Sequence, residues 1–161
     1  VLDSAMNDVD VPHVLRWYSG QTFAERARIY ISFLHPLNTT ADAPNRVFNP
    51  NRWWPMQEFV LELPGDLEAE LFDVDTIVIT AIDGVELDEP LPPLAAHDIS
   101  DVNGNGRTDL TIWFARWPLR DAMRDAGVDP PGEVEITLRG ETTDALFWQA
   151  TETLFVPNLG K

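Results

Sequence analysis

The sequence predicts a mainly β domain, a sandwich with one short helix, set behind an irregular N-terminal extension that carries a helix signal of its own. Alternating apolar and polar residues recur in short runs, the clearest placing Phe59, Leu61 and Leu63 on one face. Turn residues punctuate those runs at Pro64-Gly65, Asp83-Gly84 and Asp144-Ala145. Several short strands separated by such turns suggest two packed sheets. The chain is 44% hydrophobic and holds 6 Trp and 8 Phe, enough apolar material for a core despite a net charge of −16.

The extension occupies residues 1–55 and the sandwich residues 56–161. Residues 1 to 22 show no firm period. Thr22-Phe23-Ala24-Glu25 reads as a capping box, after which Phe23, Ala27, Tyr30, Ile31 and Leu34 share one helical face until His35-Pro36 stops it. The β-rich run Ile29 to Leu34 supports a strand as the competing reading; the helix is preferred. Residues 36 to 55, rich in Pro and Asn, read as irregular chain. Met56 to Leu63 is the first clear strand and Val74 to Ile82 the second. Residues 85 to 98 are acidic and Pro-rich, a loop with a short edge strand. Leu110 to Ala115 is a third strand. Trp117-Pro118 opens the short helix, since Pro suits a first helical turn, and Gly127 suits its C-terminal cap. Glu133 to Gly140 and Leu146 to Val156 complete the set, with Asp144-Ala145 in the turn between them.

Composition narrows what such a domain can do. At 161 residues it suits a single domain with an added arm. Ten Arg, one Lys (Lys161) and no basic run leave out the clustered cations that a phosphate backbone needs, so nucleic acid is not an expected partner. An acidic surface suits divalent cations, a basic partner or a salty habitat. The absence of Cys removes disulfides, thiolate zinc sites and Cys nucleophiles. No apolar run approaches the roughly 20 residues that span a bilayer. The chain begins at Val1, which leaves a removed leader and a trimmed end equally open.

One segment carries chemistry: Asp101-Val102-Asn103-Gly104-Asn105-Gly106-Arg107-Thr108-Asp109-Leu110. Oxygen-bearing side chains fall at loop positions 1, 3, 5 and 9, with Gly at position 6. Calcium is a hard cation that takes about six to eight oxygens at roughly 2.3–2.6 Å. A curled backbone can point alternate side chains inward, and Gly106 permits the sharp turn. Arg107 is expected to offer its backbone carbonyl while its side chain points to solvent, and Asp109 closes the shell. The plainer reading is a hairpin turn, since Asn-Gly occurs twice in succession. Such a turn does not require Asp at both ends or oxygen at the odd positions. The loop supplies two formal negative charges, and Asp98 is a candidate third. So few charges imply a dissociation constant on the order of 10⁻⁴–10⁻³ M, as in extracellular modules. Cytosolic calcium would leave that site empty, hence an extracytoplasmic location is expected: secreted, cell-surface or periplasmic.

This loop resembles the nine-residue calcium loops of integrin-type propellers and, in its first half, those of dockerins. The order of elements is also similar to small calcium-loop β-sandwich modules appended to secreted bacterial and archaeal proteins. Glu58 to Gly65 ends in Leu-Pro. Phe72-Asp73-Val74-Asp75-Thr76-Ile77-Val78-Ile79 follows, then the loop, then Gly132 to Asp144. The likeness spans about residues 56 to 157. It implies an Ig-like or cohesin-like β-sandwich serving as a spacer, adhesive unit or anchor. It also implies calcium ligands at Asp101, Asn103, Asn105, Arg107 (backbone) and Asp109. The chain departs from the pattern at Asn105, where Asp is common, and at Ala145-Leu146, where a Gly-Thr turn is usual.

Other chemistry is thinner. Trp53 and Trp54, beside Arg52 and Pro55, are the aromatic pair expected to be exposed, as a sugar-stacking or protein-interface surface. Trp113 and Trp148 sit in strands and are expected in the core. His13, His35 and His97 have no spacing that suggests a metal triad. No feature selects a glycosidase carboxylate pair, and no Gly-x-Ser-x-Gly, phosphate loop or dinucleotide fingerprint occurs. The expectation is a non-enzymatic, Ca2+-stabilised structural or protein-binding module, or an accessory subunit of an extracytoplasmic assembly. Its partner would be another protein subunit or domain, with a carbohydrate-binding module acting on polysaccharide as the alternative. The arm of residues 1–55 reads either as a segment that wraps a partner or as one that covers its own sandwich.

Overall fold

The computed structural model describes residues 22–52 and 54–160. Its first element is the helix α1 (Phe23–Leu34), opened by the capping box the sequence announces. Thr22 Oγ1 accepts from the Glu25 amide at 3.3 Å, and the Glu25 carboxylate accepts from the Thr22 amide at 2.7 Å. Burial corrects the expected face. Among the helix residues whose burial is described, Ile29 and Ser32 are buried, whereas Ile31 and Leu34 are 59% and 51% exposed. The inward face is decided by packing on the last strand, where Phe33 meets Phe147 edge-on at 5.3 Å. Ser32 Oγ also accepts from the Phe147 amide.

Nine strands follow: β1 (Leu37–Asn38), β2 (Thr40–Asp42), β3 (Met56–Glu62), β4 (Phe72–Ile82), β5 (Val85–Leu91), β6 (His97–Ser100), β7 (Asp109–Ala115), β8 (Gly132–Thr142) and β9 (Phe147–Val156). A short 3₁₀ turn, Ala69–Leu71, precedes β4, and the helix α2 (Arg116–Asp125) lies between β7 and β8. The strands form two sheets, one ordered β1-β9-β8-β4-β5 and the other β2-β3-β7-β6. The chain is therefore a β-sandwich. Its core is built from the inward rows of both sheets, including Phe59 and Leu61 of β3, Ile112 and Phe114 of β7, and Ile136 and Leu138 of β8.

Residues 36–52 hold more regular structure than their composition suggests. β1 runs parallel to β9, β2 runs antiparallel to β3, and Ala43 and Phe48 belong to the core. Over its described part the extension covers its own sandwich. The buried Arg116 secures it: Nε donates to the Met56 carbonyl at 2.8 Å and Nη1 to the Asn49 carbonyl at 2.7 Å, with the guanidinium 5.7 Å from the Phe48 ring.

The turns behave as their residues require. Asp83 and Gly84 both adopt positive φ, as a two-residue hairpin turn of the primed type demands. α2 ends at Gly127 in a Schellman arrangement, with Val128 N–H donating to Met123 O and Gly127 N–H to Arg124 O. Among the described residues no helix is long and apolar enough to cross a membrane.

Candidate metal centre

The loop from Asp101 to Asp109 joins β6 to β7 and curls on itself through its own side chains. Asp101 Oδ1 accepts from the Asn105 amide at 3.0 Å and Oδ2 from the Gly106 amide at 2.9 Å. Asn103 Oδ1 accepts from Asn105 N–H, and Asn105 Oδ1 accepts from Arg107 N–H, each at 2.9 Å. These are successive Asx turns, in which a short polar side chain takes the place of a backbone carbonyl. Gly104 and Gly106 both take positive φ, the conformation that lets the chain coil this tightly. Asp109 closes the loop: its Oδ2 accepts from Val102 N–H at 2.9 Å and Asn103 N–H at 3.4 Å. The alternation read from the sequence thus brings all five predicted residues into one coil.

The sequence reading missed Glu62, at the end of β3. Leu61 pairs with Leu110, so Glu62 stands directly across from Asp109 on the face of the sheet turned away from the core. Its Oε2 accepts from Asn103 Nδ2 at 2.8 Å and from Asn105 Nδ2 at 3.0 Å. Its Oε1 accepts from Arg107 Nη1 at 2.8 Å. Like charges placed opposite one another on adjacent strands destabilise a sheet. Asp109 is fully buried. Burial pushes its carboxyl above the usual range, the amides of Val102 and Asn103 oppose the rise, and Glu62 adds to it. Burial also resists ionisation of Glu62, but hydrogen bonds from Asn103, Asn105 and the Asp109 carboxyl, with Arg107 beside it, hold its carboxyl below the usual range.

Two expectations are corrected here. The Arg107 side chain does not point to solvent: besides Glu62, its Nη2 donates to the carbonyls of Leu63 at 2.6 Å and Leu67 at 2.9 Å. The Glu62 carboxylate and these two carbonyls, partly shielded from water, together satisfy the guanidinium, and a charged donor strengthens each bond. Asp98 does not supply the third charge. It lies on β6 opposite Thr111 and accepts from Ser100 Oγ at 3.0 Å.

No protein-family model, curated protein or solved structure matches this chain. The donors must therefore be weighed on their own chemistry. Among the described residues no three His, Cys, Asp or Glu side chains converge as a metal-holding group. The coil instead offers a mixed set: the carboxylates of Asp101, Asp109 and Glu62, the amide oxygens of Asn103 and Asn105, and the Arg107 carbonyl. Both Asn side chains turn their Nδ2 toward Glu62. A half-turn of each amide would turn its oxygen there instead, at the cost of the Asx-turn bond that this oxygen now accepts. Oxygen donors of this kind suit a hard cation better than a soft one.

The remaining predicted positions scatter. Trp53 and His13 lie outside the described residues. Trp54 is 44% exposed. Trp148 is buried as expected, 5.2 Å from Phe72. Trp113 faces outward, because its neighbours Ile112 and Phe114 take the inward row, and its indole donates to Glu58 at 3.1 Å. His35 and His97 are exposed.

Proposed function

We propose that this chain is a non-enzymatic structural or protein-binding module whose fold is stabilised by one calcium ion in the Asp101–Asp109 coil. It would act as an accessory subunit of an extracytoplasmic assembly, beside another protein subunit or domain. The observation that carries the reading is the cross-strand pair of Glu62 and Asp109. Two carboxylates held face to face, one of them fully buried, at the mouth of an oxygen-lined coil are what a divalent cation relieves. Asp101, Asn103, Asn105, Asp109, Glu62 and the Arg107 carbonyl would hold the ion. When bound, the ion supplies the positive charge that ties the β6–β7 loop to the end of β3.

Bound ion stabilises the folded state by RT ln(1 + [L]/Kd), about 1–3 kcal/mol at roughly ten to a hundred times Kd. Thermal melting should therefore drop on adding chelator and recover with millimolar Ca2+. Asp109→Ala should abolish the response and Glu62→Gln should weaken it. A melting curve of the unaltered chain indifferent to both additions would show that Arg107 alone neutralises the site, and the reading fails.

A second reading is favoured by one surface. Trp54 precedes β3 and Trp117 opens α2, where the Pro55 carbonyl accepts from Arg116 N–H. Both indoles are about half exposed, at 44% and 51%. The Arg120 guanidinium lies over the Trp117 ring at 4.5 Å, so Trp54 is the aromatic on which this sugar-stacking reading rests. A carbohydrate-binding module would show glycan-array signal that disappears in Trp54→Ala; a blank array removes this reading.

A further inference from the structure

We propose that the cleft between β5 and α2 receives a basic peptide segment of a protein partner, one that places an apolar side chain between Lys or Arg residues. The cleft begins in an irregularity of pairing. Glu86 stands opposite Ala81 and Leu91 opposite Ile79, so β5 carries three more residues than β4 over this stretch and arches off the ladder. The arch faces α2, and together they enclose a cleft of about 380 Å3. β5 is also the edge of its sheet, with no strand beyond it among the described residues, and an edge is where an extended peptide can run alongside.

The floor is apolar and only half covered. Leu87 and Leu91 of β5 meet Ala122 of α2 there, and all three remain partly accessible. The lips are acidic and come from both elements: Asp88 and Glu89 from the arch, Asp125 from the helix. None of these three carboxylates has an ion pair among the described residues. Their neighbours do: Glu86 pairs with Arg139 at 3.2 Å, and Asp121 with Arg120 at 2.6 Å. The cleft therefore presents negative charge that the chain leaves uncompensated around an apolar strip.

That layout selects the occupant. A point cation needs carboxylates gathered on one spot, whereas Asp88 and Glu89 line the cleft from β5 and Asp125 lines it from α2. Charges spread along both lips of a groove match cations spaced along a peptide, and the strip between them matches an apolar anchor. The cleft shares no residue with the Asp101–Asp109 coil and does not depend on the ion.

The probe is a fluorescein-labelled octapeptide of alternating Lys and Leu, read by anisotropy against the full chain. We expect saturable binding that weakens about ten-fold in the triple variant Asp88→Asn/Glu89→Gln/Asp125→Asn. A control that removes as many exposed charges elsewhere, Asp75→Asn/Asp129→Asn/Glu133→Gln, should change it less than about two-fold. An all-Lys octapeptide should bind at least about five-fold more weakly, because it leaves the floor empty. Equal losses in the two triple variants would show attraction by net charge alone and overturn the proposal. Equal binding of the two peptides, or no binding of either, would overturn it as well.

Discussion

Glu152 shows how a single residue can oppose the fold it sits in. Its side chain is 9% exposed, and its cation, Arg46, is 3.8 Å away and largely in solvent. Burial pushes its carboxyl above the usual range; Arg46 opposes that rise and Asp42 adds to it. The folded chain thus holds this proton more tightly than the unfolded one. Below the ordinary value of 4.5 the residue carries no penalty, and stability is lost as pH rises through the raised folded value. Glu152→Gln should accordingly raise the melting temperature at pH 7 by roughly 1–3 °C, with the gain vanishing near pH 4. Melts across that range would check it, and a gain that persists in acid would mean the Gln acts through packing. Glu68 has the opposite sign. Hydrogen bonds from the Thr108 amide and hydroxyl hold it below the usual range, so it stabilises at neutral pH and ceases to do so in acid.

Among the elements, the β8–β9 hairpin depends on one close approach. Gly140 stands across from Trp148, whose indole lies over it and donates to the Glu141 carbonyl at 3.2 Å. A Cβ at position 140 would come within 2.7 Å of the Trp148 ring. Trp148 is buried against Phe72 and cannot swing aside without disturbing that contact. Gly140→Ala should therefore destabilise by about 1–3 kcal/mol, an overpacking penalty visible as a lower urea midpoint. An unchanged midpoint would mean that the ring shifts freely. The same hairpin turns through Ala145 at positive φ, a conformation Gly adopts without strain. The turn thus keeps the backbone of a Gly-containing one although Ala stands there, with its methyl group buried and its N–H donating to the Thr142 carbonyl.

The whole molecule carries a net charge of −16 on a sandwich of 161 residues. Self-repulsion of that size works against the compact state and is screened by salt, whose Debye length shrinks from about 30 Å at 0.01 M to about 10 Å at 0.1 M. In the presence of chelator, the melting temperature should rise as NaCl goes from about 10 mM to about 0.5 M. A fall over that range would mean that ion pairs such as Arg107–Glu62 outweigh the general repulsion. Adding Ca2+ at fixed ionic strength separates the screening effect from the site.

Much of this was written in local pattern. The strands β3, β4, β7, β8 and β9 follow from alternation, α1 from its capping box, the hairpin turn from Asp83-Gly84, and the coil from oxygens at every second position. Each is a property of neighbours in the chain, decided by side-chain period and by the φ that a residue tolerates. Tertiary structure alone decided which strands lie side by side. That pairing put Glu62 across from Asp109 and Arg107 onto Glu62, drew residues 37–48 into the sheets, and turned Ile29 rather than Ile31 inward. These partners are tens of residues apart in sequence, and no period along the chain encodes a distance across it.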